Sequence, residues 1–306
     1  MSGEGGSRSG PAQSLPGDLP TGRHVTVNGI RLHVTEVGAG PAVVLLHGNP
    51  TSSLLWRNVV PVLVNAGWRA IVPDLAGFGH SQKVTHPGDV SLAHYVADLT
   101  AMIDLLGLEQ VTLVCHDWGG PIGLSWAVTH RARVEGLVLM STWAWSDTAP
   151  FHTRIFPWRM MHAPLVGPFL LGRHNALAGR GMHLSVVDRE RFADDAMGLY
   201  TGQLPTPESR LMTWQFPRLI PLDGSGETAA HLDWLESELS GWEVPALVVW
   251  GREDDVFPAA FAERFTTLLP AARGPKWVTG RHFLQEDSGP EIGRLIVGFL
   301  ESGAPS

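Results

Sequence analysis

The chain has one cysteine in 306 residues, so no internal disulfide framework can form. That residue, Cys115, lies in an apolar run and reads as a small core residue rather than a reactive thiol. Basic residues are scarce as well: 22 Lys and Arg stand against 30 Asp and Glu, a formal charge of -8. Without a basic stripe to neutralise phosphates, a nucleic-acid partner is excluded. No apolar run reaches the roughly 18 residues of a membrane-spanning helix, so no membrane partner is expected. Met1 to Pro11 lacks the apolar centre of a secretory signal, which points to a cytoplasmic protein. Tyrosine is nearly absent, at 2 residues against 12 tryptophans.

What is present suits one large globular unit. Hydrophobic residues make up 44% of the chain, enough to bury a sizeable core. Residues 1–20, rich in Gly, Ser and Pro, read as a disordered tail. Asn28-Gly29 between Val25-Thr-Val and Ile30 to Val37 predicts a two-residue hairpin turn. Ala42–Leu46, Ala70–Pro73, Val111–Cys115 and Val134–Met140 read as strands buried on both faces. Between them, Ser91 to Leu106 carries Leu92, Val96, Leu99, Ile103 and Leu106 at helical spacing, with Ser91 as N-cap and Gly107 as stop. Such alternation implies a parallel sheet with helices on both faces. From Ser146 to about Glu238 the rhythm breaks, with short helices predicted near Arg189–Tyr200 and Pro207–Phe216. Strand signals return at Pro245–Trp250 and Lys276–Thr279. The expected architecture is an α/β protein: residues 21–145 and 239–306 form a main domain around an eight-stranded, mostly parallel sheet. A helical cap over 146–238 is inserted after the sixth strand, covering the carboxyl ends of the strands.

Chemistry concentrates at those ends. Val111 to Gly123 reads as strand, sharp turn and helix start, with Cys115, Gly119 and Gly120 small enough for the two to close on the turn. A nucleophile elbow has this pattern, but its tip is Asp117 rather than serine. A carboxylate is already an anion at neutral pH and needs no base to attack carbon. Gly-x-Ser-x-Gly at a strand-to-helix turn is missing, which argues against a serine esterase.

Further motifs follow the other strands: His47-Gly-Asn-Pro-Thr-Ser-Ser, Pro73-Asp-Leu-Ala-Gly-Phe-Gly-His-Ser, Gly251-Arg-Glu-Asp-Asp-Val-Phe-Pro and Arg281-His-Phe-Leu-Gln-Glu-Asp. With His116-Asp-Trp-Gly-Gly they resemble the α/β-hydrolase fold over Gly22 to Phe299, and within it the haloalkane dehalogenases. The resemblance implies that Asp117 displaces halide from an sp3 carbon and becomes an alkyl ester. His282 would be the base that activates water against that ester, and Asp254 the acid that orients it, with Asp255 as the alternative acid. Some dehalogenases carry this acid after the sixth strand, where this chain has no carboxylate until Asp147. Asn49 and Trp118 would bind halide through their side chains and the ester oxyanion through backbone N–H groups. His47 is expected to order its loop. Phe151, Phe156, Trp158, Phe169, Phe216, Pro217 and Phe283 are candidates for an apolar substrate pocket, and Trp143 and Trp145 lie near it. The implied partners are a small uncharged halogenated substrate, water and the halide product; no metal and no organic cofactor is expected.

An epoxide hydrolase would share Asp117, His282 and the acid. Such enzymes usually carry two cap tyrosines to protonate the epoxide oxygen, whereas this chain offers Tyr200 in the cap and Tyr95 on a main-domain helix. A non-catalytic binding protein on the same fold is the third reading.

Overall fold

The structure, a computed structural model, describes residues 19, 21–147 and 160–303. β1 (Arg23–Val27) and β2 (Ile30–Val37) form the expected hairpin, and Asn28 and Gly29 at its turn have φ of 48° and 81°. Two successive left-handed residues match the twist of the flanking strands. β3 (Ala42–Leu46), β4 (Arg69–Pro73), β5 (Val111–His116), β6 (Val134–Met140), β7 (Ala246–Gly251) and β8 (Ala272–Val278) follow. All join one 8-stranded sheet in the order β1-β2-β4-β3-β5-β6-β7-β8. β2 is antiparallel to β1 and β4, and all other pairs are parallel. β8 starts earlier than the Lys276–Thr279 signal suggested. Pro275 cannot donate to a ladder and masks the strand, but β8 is at the sheet edge and shifts register there, where proline is tolerated.

Helices cover both faces. On one lie α2 (Leu92–Leu105) and α3 (Gly119–Thr129); α1 (Val60–Asn65) and α9 (Leu284–Gly303) pack together on the other. Ser91 caps α2 by accepting from the His94 N–H, and Gly107 ends it at φ 64°. In the stretch between β6 and β7, two short π-helical segments, Pro168–Arg173 and Leu177–Gly181, precede α4 (Arg189–Asp195), α5 (Met197–Gly202) and α6 (Leu211–Leu219). The helix expected over Arg189–Tyr200 is thus two, broken where Ala196 leaves helical geometry at φ -129°. All of α7 (Glu227–Leu239) but its last residue falls inside the 146–238 boundary read from the sequence. Its Leu232, Leu235 and Leu239 are nevertheless buried in the core shared with α3, because that face is apolar at helical spacing. α8 (Ala259–Leu268) packs on β7 and β8. No helix among the described residues is long and apolar enough to cross a membrane.

β3 lies between β4 and β5, so the winding direction reverses at this strand. Loops leaving two neighbouring strands in opposite senses open a crevice at the carboxyl ends. The loops after β3 and β5 meet there.

Candidate active site

β5 ends at His116 and α3 begins at Gly119, leaving Asp117 and Trp118 to turn the chain. Asp117 adopts φ 49°, a left-handed conformation that costs energy for a residue with a Cβ. Both of its backbone polar groups are tied to the end of β6. Its N–H donates to the Ser141 carbonyl at 3.0 Å, and the Thr142 hydroxyl donates to its carbonyl at 2.6 Å. The glycines around it leave no room for side chains: a Cβ on Gly48 would strike the Asp117 carboxylate, one on Gly119 the Leu46 carbonyl and one on Gly120 the Thr142 hydroxyl. The elbow is therefore closed from three sides, with the carboxylate directed at the loop after β3.

There the Asn49 backbone N–H donates to Asp117 Oδ1 at 2.7 Å. The Trp118 N–H also favours the ionised carboxylate. Both groups that the sequence assigned to an oxyanion thus address the same carboxyl group. Burial raises the Asp117 pKa; His282 and these two N–H groups oppose the rise, and Asp254 adds to it. His282 Nε2 lies 3.7 Å from Asp117 Oδ2, too far for a direct hydrogen bond. On its other side, His282 Nδ1 is 3.8 Å from Asp254 Oδ1. The same Oδ1 accepts from the N–H groups of Val256 and Phe257 at 2.8 and 2.9 Å, which fixes the carboxylate. Burial disfavours a charged His282 ring, but Asp254, Asp117 and Asp255 outweigh it, and its pKa is raised. Asp255 instead accepts from the Ser185 hydroxyl at 3.0 Å and faces Arg281 at 3.6 Å. Of the two adjacent acids, Asp254 is the one against His282.

The Asn49 side chain donates through Nδ2 to the Thr213 carbonyl of α6 at 3.2 Å, which uses one of its two amide hydrogens. Trp118 is 2% exposed, and its ring meets Trp143 and Phe216 edge-on at 4.8 and 4.9 Å. Trp143 stacks on Phe257 at 5.2 Å, and Phe257 and Phe283 meet the His282 ring at 5.3 and 4.7 Å. An aromatic belt thus runs from Phe216 through Trp118 to His282. Pro217 is buried beside Phe216 on α6. Trp145 packs instead on Phe261 of α8, under Arg264. Phe169 is corrected to a surface position: it is 57% exposed, its ring against His174 on a π-helical segment. Phe151, Phe156 and Trp158 lie outside the described residues.

His47 organises the loop. Its Nε2 accepts from the Leu75 N–H and its Nδ1 donates to the Gly48 carbonyl, both at 2.9 Å; burial lowers its pKa, so it is neutral. Sequence reasoning missed a cluster next to the site. Arg57 makes two hydrogen bonds of 2.5 Å to Glu286, and the Tyr200 hydroxyl donates to Glu286 Oε1 at 2.5 Å. This joins the segment after Asn49, the helix after His282 and α5. The Tyr95 hydroxyl donates to the Ala76 carbonyl at 2.9 Å, so both tyrosine hydroxyls have partners elsewhere.

Residues 41–289 match the family described as alpha/beta hydrolase fold. The chain is 35% identical to a haloalkane dehalogenase of Mycolicibacterium smegmatis over 94% of its own length and 93% of the relative's. It belongs to the haloalkane dehalogenase family of α/β hydrolases. Its fold is shared with the solved dehalogenase DbeA of Bradyrhizobium elkani, at a TM-score of 0.85 and 29% identity, covering 92% of this chain and 97% of that one. A cis-3-alkyl-4-alkyloxetan-2-one decarboxylase of Shewanella oneidensis is 31% identical over 92% of this chain and 89% of the relative. As a member of this family, the protein is an enzyme.

Proposed function

We propose that the protein hydrolyses small uncharged haloalkanes to alcohol and halide through a covalent ester on Asp117. Asp117 Oδ2 attacks the halogen-bearing sp3 carbon in line; a carbon–oxygen bond forms as the carbon–halogen bond breaks, and the halide leaves with the electron pair. The Trp118 indole N–H and the second Asn49 amide hydrogen meet the growing charge. Oδ1, already facing the Asn49 N–H, becomes the ester carbonyl oxygen. His282 Nε2 then takes a proton from water, whose oxygen adds to that carbonyl, and the N–H groups of Asn49 and Trp118 stabilise the oxyanion. Collapse returns Asp117 as its carboxylic acid while His282 gives its proton to the departing alkoxide. The acid then releases water's second proton to solvent, which restores the carboxylate. Asp254 orients His282 and balances its charge.

The observation that carries this reading is a carboxylate in a serine's place, with an oxyanion donor on one oxygen and a base by the other. The helical stretch from 160 to the start of α7 would belong to the cap that excludes water, α7 itself packing with α3 of the main domain. The same reading needs no cofactor beyond water.

A second reading is favoured by the decarboxylase relative. An oxetan-2-one can lose carbon dioxide to leave an alkene as its ring carbon–oxygen and carbon–carbon bonds break, with no net use of water. Epoxide hydrolysis is less favoured, because the Tyr95 and Tyr200 hydroxyls are engaged with Ala76 and Glu286. Incubation with 1-bromobutane, styrene oxide and a cis-3,4-dialkyl oxetan-2-one separates the three. Bromide and butanol in equal amounts are expected; turnover of only the epoxide or only the lactone overturns the dehalogenase reading. No turnover of any of them points to a binding protein.

A further inference from the structure

His116 has no part in the reaction above, yet it is wholly buried against the base. Its ring centroid is 4.8 Å from that of His282, and its Nε2 lies 2.9 Å from the backbone carbonyl oxygen of His282. A carbonyl oxygen only accepts, so Nε2 carries the proton and Nδ1 is left as a bare lone pair. Nδ1 is buried without a hydrogen-bond partner, so one donor bond is kept at the cost of an unsatisfied acceptor. The ring is therefore a neutral donor; burial first, and the charge of His282 second, push its pKa far below 6.5. A neutral ring is required here, because a second imidazolium would repel the cation that His282 becomes on taking a proton from water.

The two histidines sit on backbones of different kinds. His116 is the last residue of β5, paired with Met140 on β6, within the buried centre of the sheet. His282 lies in the turn between β8, at the sheet edge, and α9. Its Nδ1 is 3.8 Å from Asp254 and its Nε2 3.7 Å from Asp117, so neither carboxylate pins the ring by a short bond. The bond from His116 ties this turn to the strand that carries the nucleophile.

We propose that His116 is a positioning residue for His282, holding the base at its distance from Asp117, and that it acts on ester hydrolysis alone. This rests on the covalent mechanism proposed above, in which alkylation of Asp117 needs no base. The test follows bromide release and the alkyl ester separately, by rapid quench and mass spectrometry with 1-bromobutane. In His116→Leu, the first-turnover release of bromide should stay within about 2-fold of wild type, while ester hydrolysis slows by about 10- to 100-fold, as expected for a misplaced reacting group. The butyl adduct should then accumulate. His116→Gln, whose amide N–H can reach the same carbonyl, should recover hydrolysis to within about 3-fold. If the leucine variant does not fold, His116→Met, unbranched and also without a donor, replaces it. Unchanged hydrolysis without the donor, equal slowing of both steps, or a glutamine variant as slow as leucine overturns the proposal. A wild type that forms no ester and releases no bromide instead overturns the covalent mechanism, and this role with it.

Discussion

Asp117 is held where a carboxylate is least stable, in a left-handed turn and out of water. Its pKa is raised, so the folded chain binds its proton more tightly than the unfolded chain does; at neutral pH the anion lowers stability. Asp117→Asn should therefore raise the Tm by calorimetry while removing turnover by about 10^4-fold or more. A variant with lower Tm and appreciable bromide release contradicts this. Thr142→Val, which frees the Asp117 carbonyl, should lower turnover of 1-bromobutane about 10-fold and stability by roughly 1–2 kcal/mol in urea. Thr142→Ser should restore most of both. Asp117, Asn49, Asp254 and His282 were legible because each lies within a few residues of a strand end that the sequence marks. The roles of Thr142 and His116 were not, since their partners lie 25 and 166 residues away.

Among elements, the buried strands and α2 could be read from apolar runs and from Ser91 and Gly107, signals carried by neighbouring residues. β8 was obscured by Pro275, and the stretch between β6 and β7 by its short, broken helices, which leave no sustained periodicity. The joint between that stretch and the sheet was equally hidden. Arg57 and Glu286 are 229 residues apart and look like ordinary surface charges until folding buries both. Removing one partner leaves the other charged and desolvated. Glu286→Gln should cost about 3–5 kcal/mol, whereas Tyr200→Phe, which leaves the ion pair intact, should cost about 1 kcal/mol. Urea unfolding of both variants checks the difference; equal losses would show that the pair is not what joins these elements.

Over the whole molecule the titrations separate activity from stability. Ester hydrolysis needs neutral His282, so turnover should fall as pH drops through its raised pKa; alkylation needs only ionised Asp117 and should persist to lower pH. Acidification should thus leave a burst of bromide followed by slow turnover. For stability the signs differ. His282, with a raised pKa, stabilises the fold when protonated, and that contribution is lost as pH rises through its folded value. Asp74 is buried, which alone would raise its pKa, but bonds from His33, His80 and Ser53 lower it from 3.8 to about 2. It contributes roughly 2 kcal/mol above its unfolded pKa, lost as pH falls toward the folded one. Asp74→Asn should flatten that acid limb in pH-dependent unfolding.

The central claim, that Asp117 becomes alkylated, is tested most directly in His282→Ala with 1-bromobutane. Mass spectrometry of the peptide containing Asp117 should show one butyl group, formed together with one equivalent of bromide and persisting because no base activates water. An unmodified peptide with no bromide released would contradict the account.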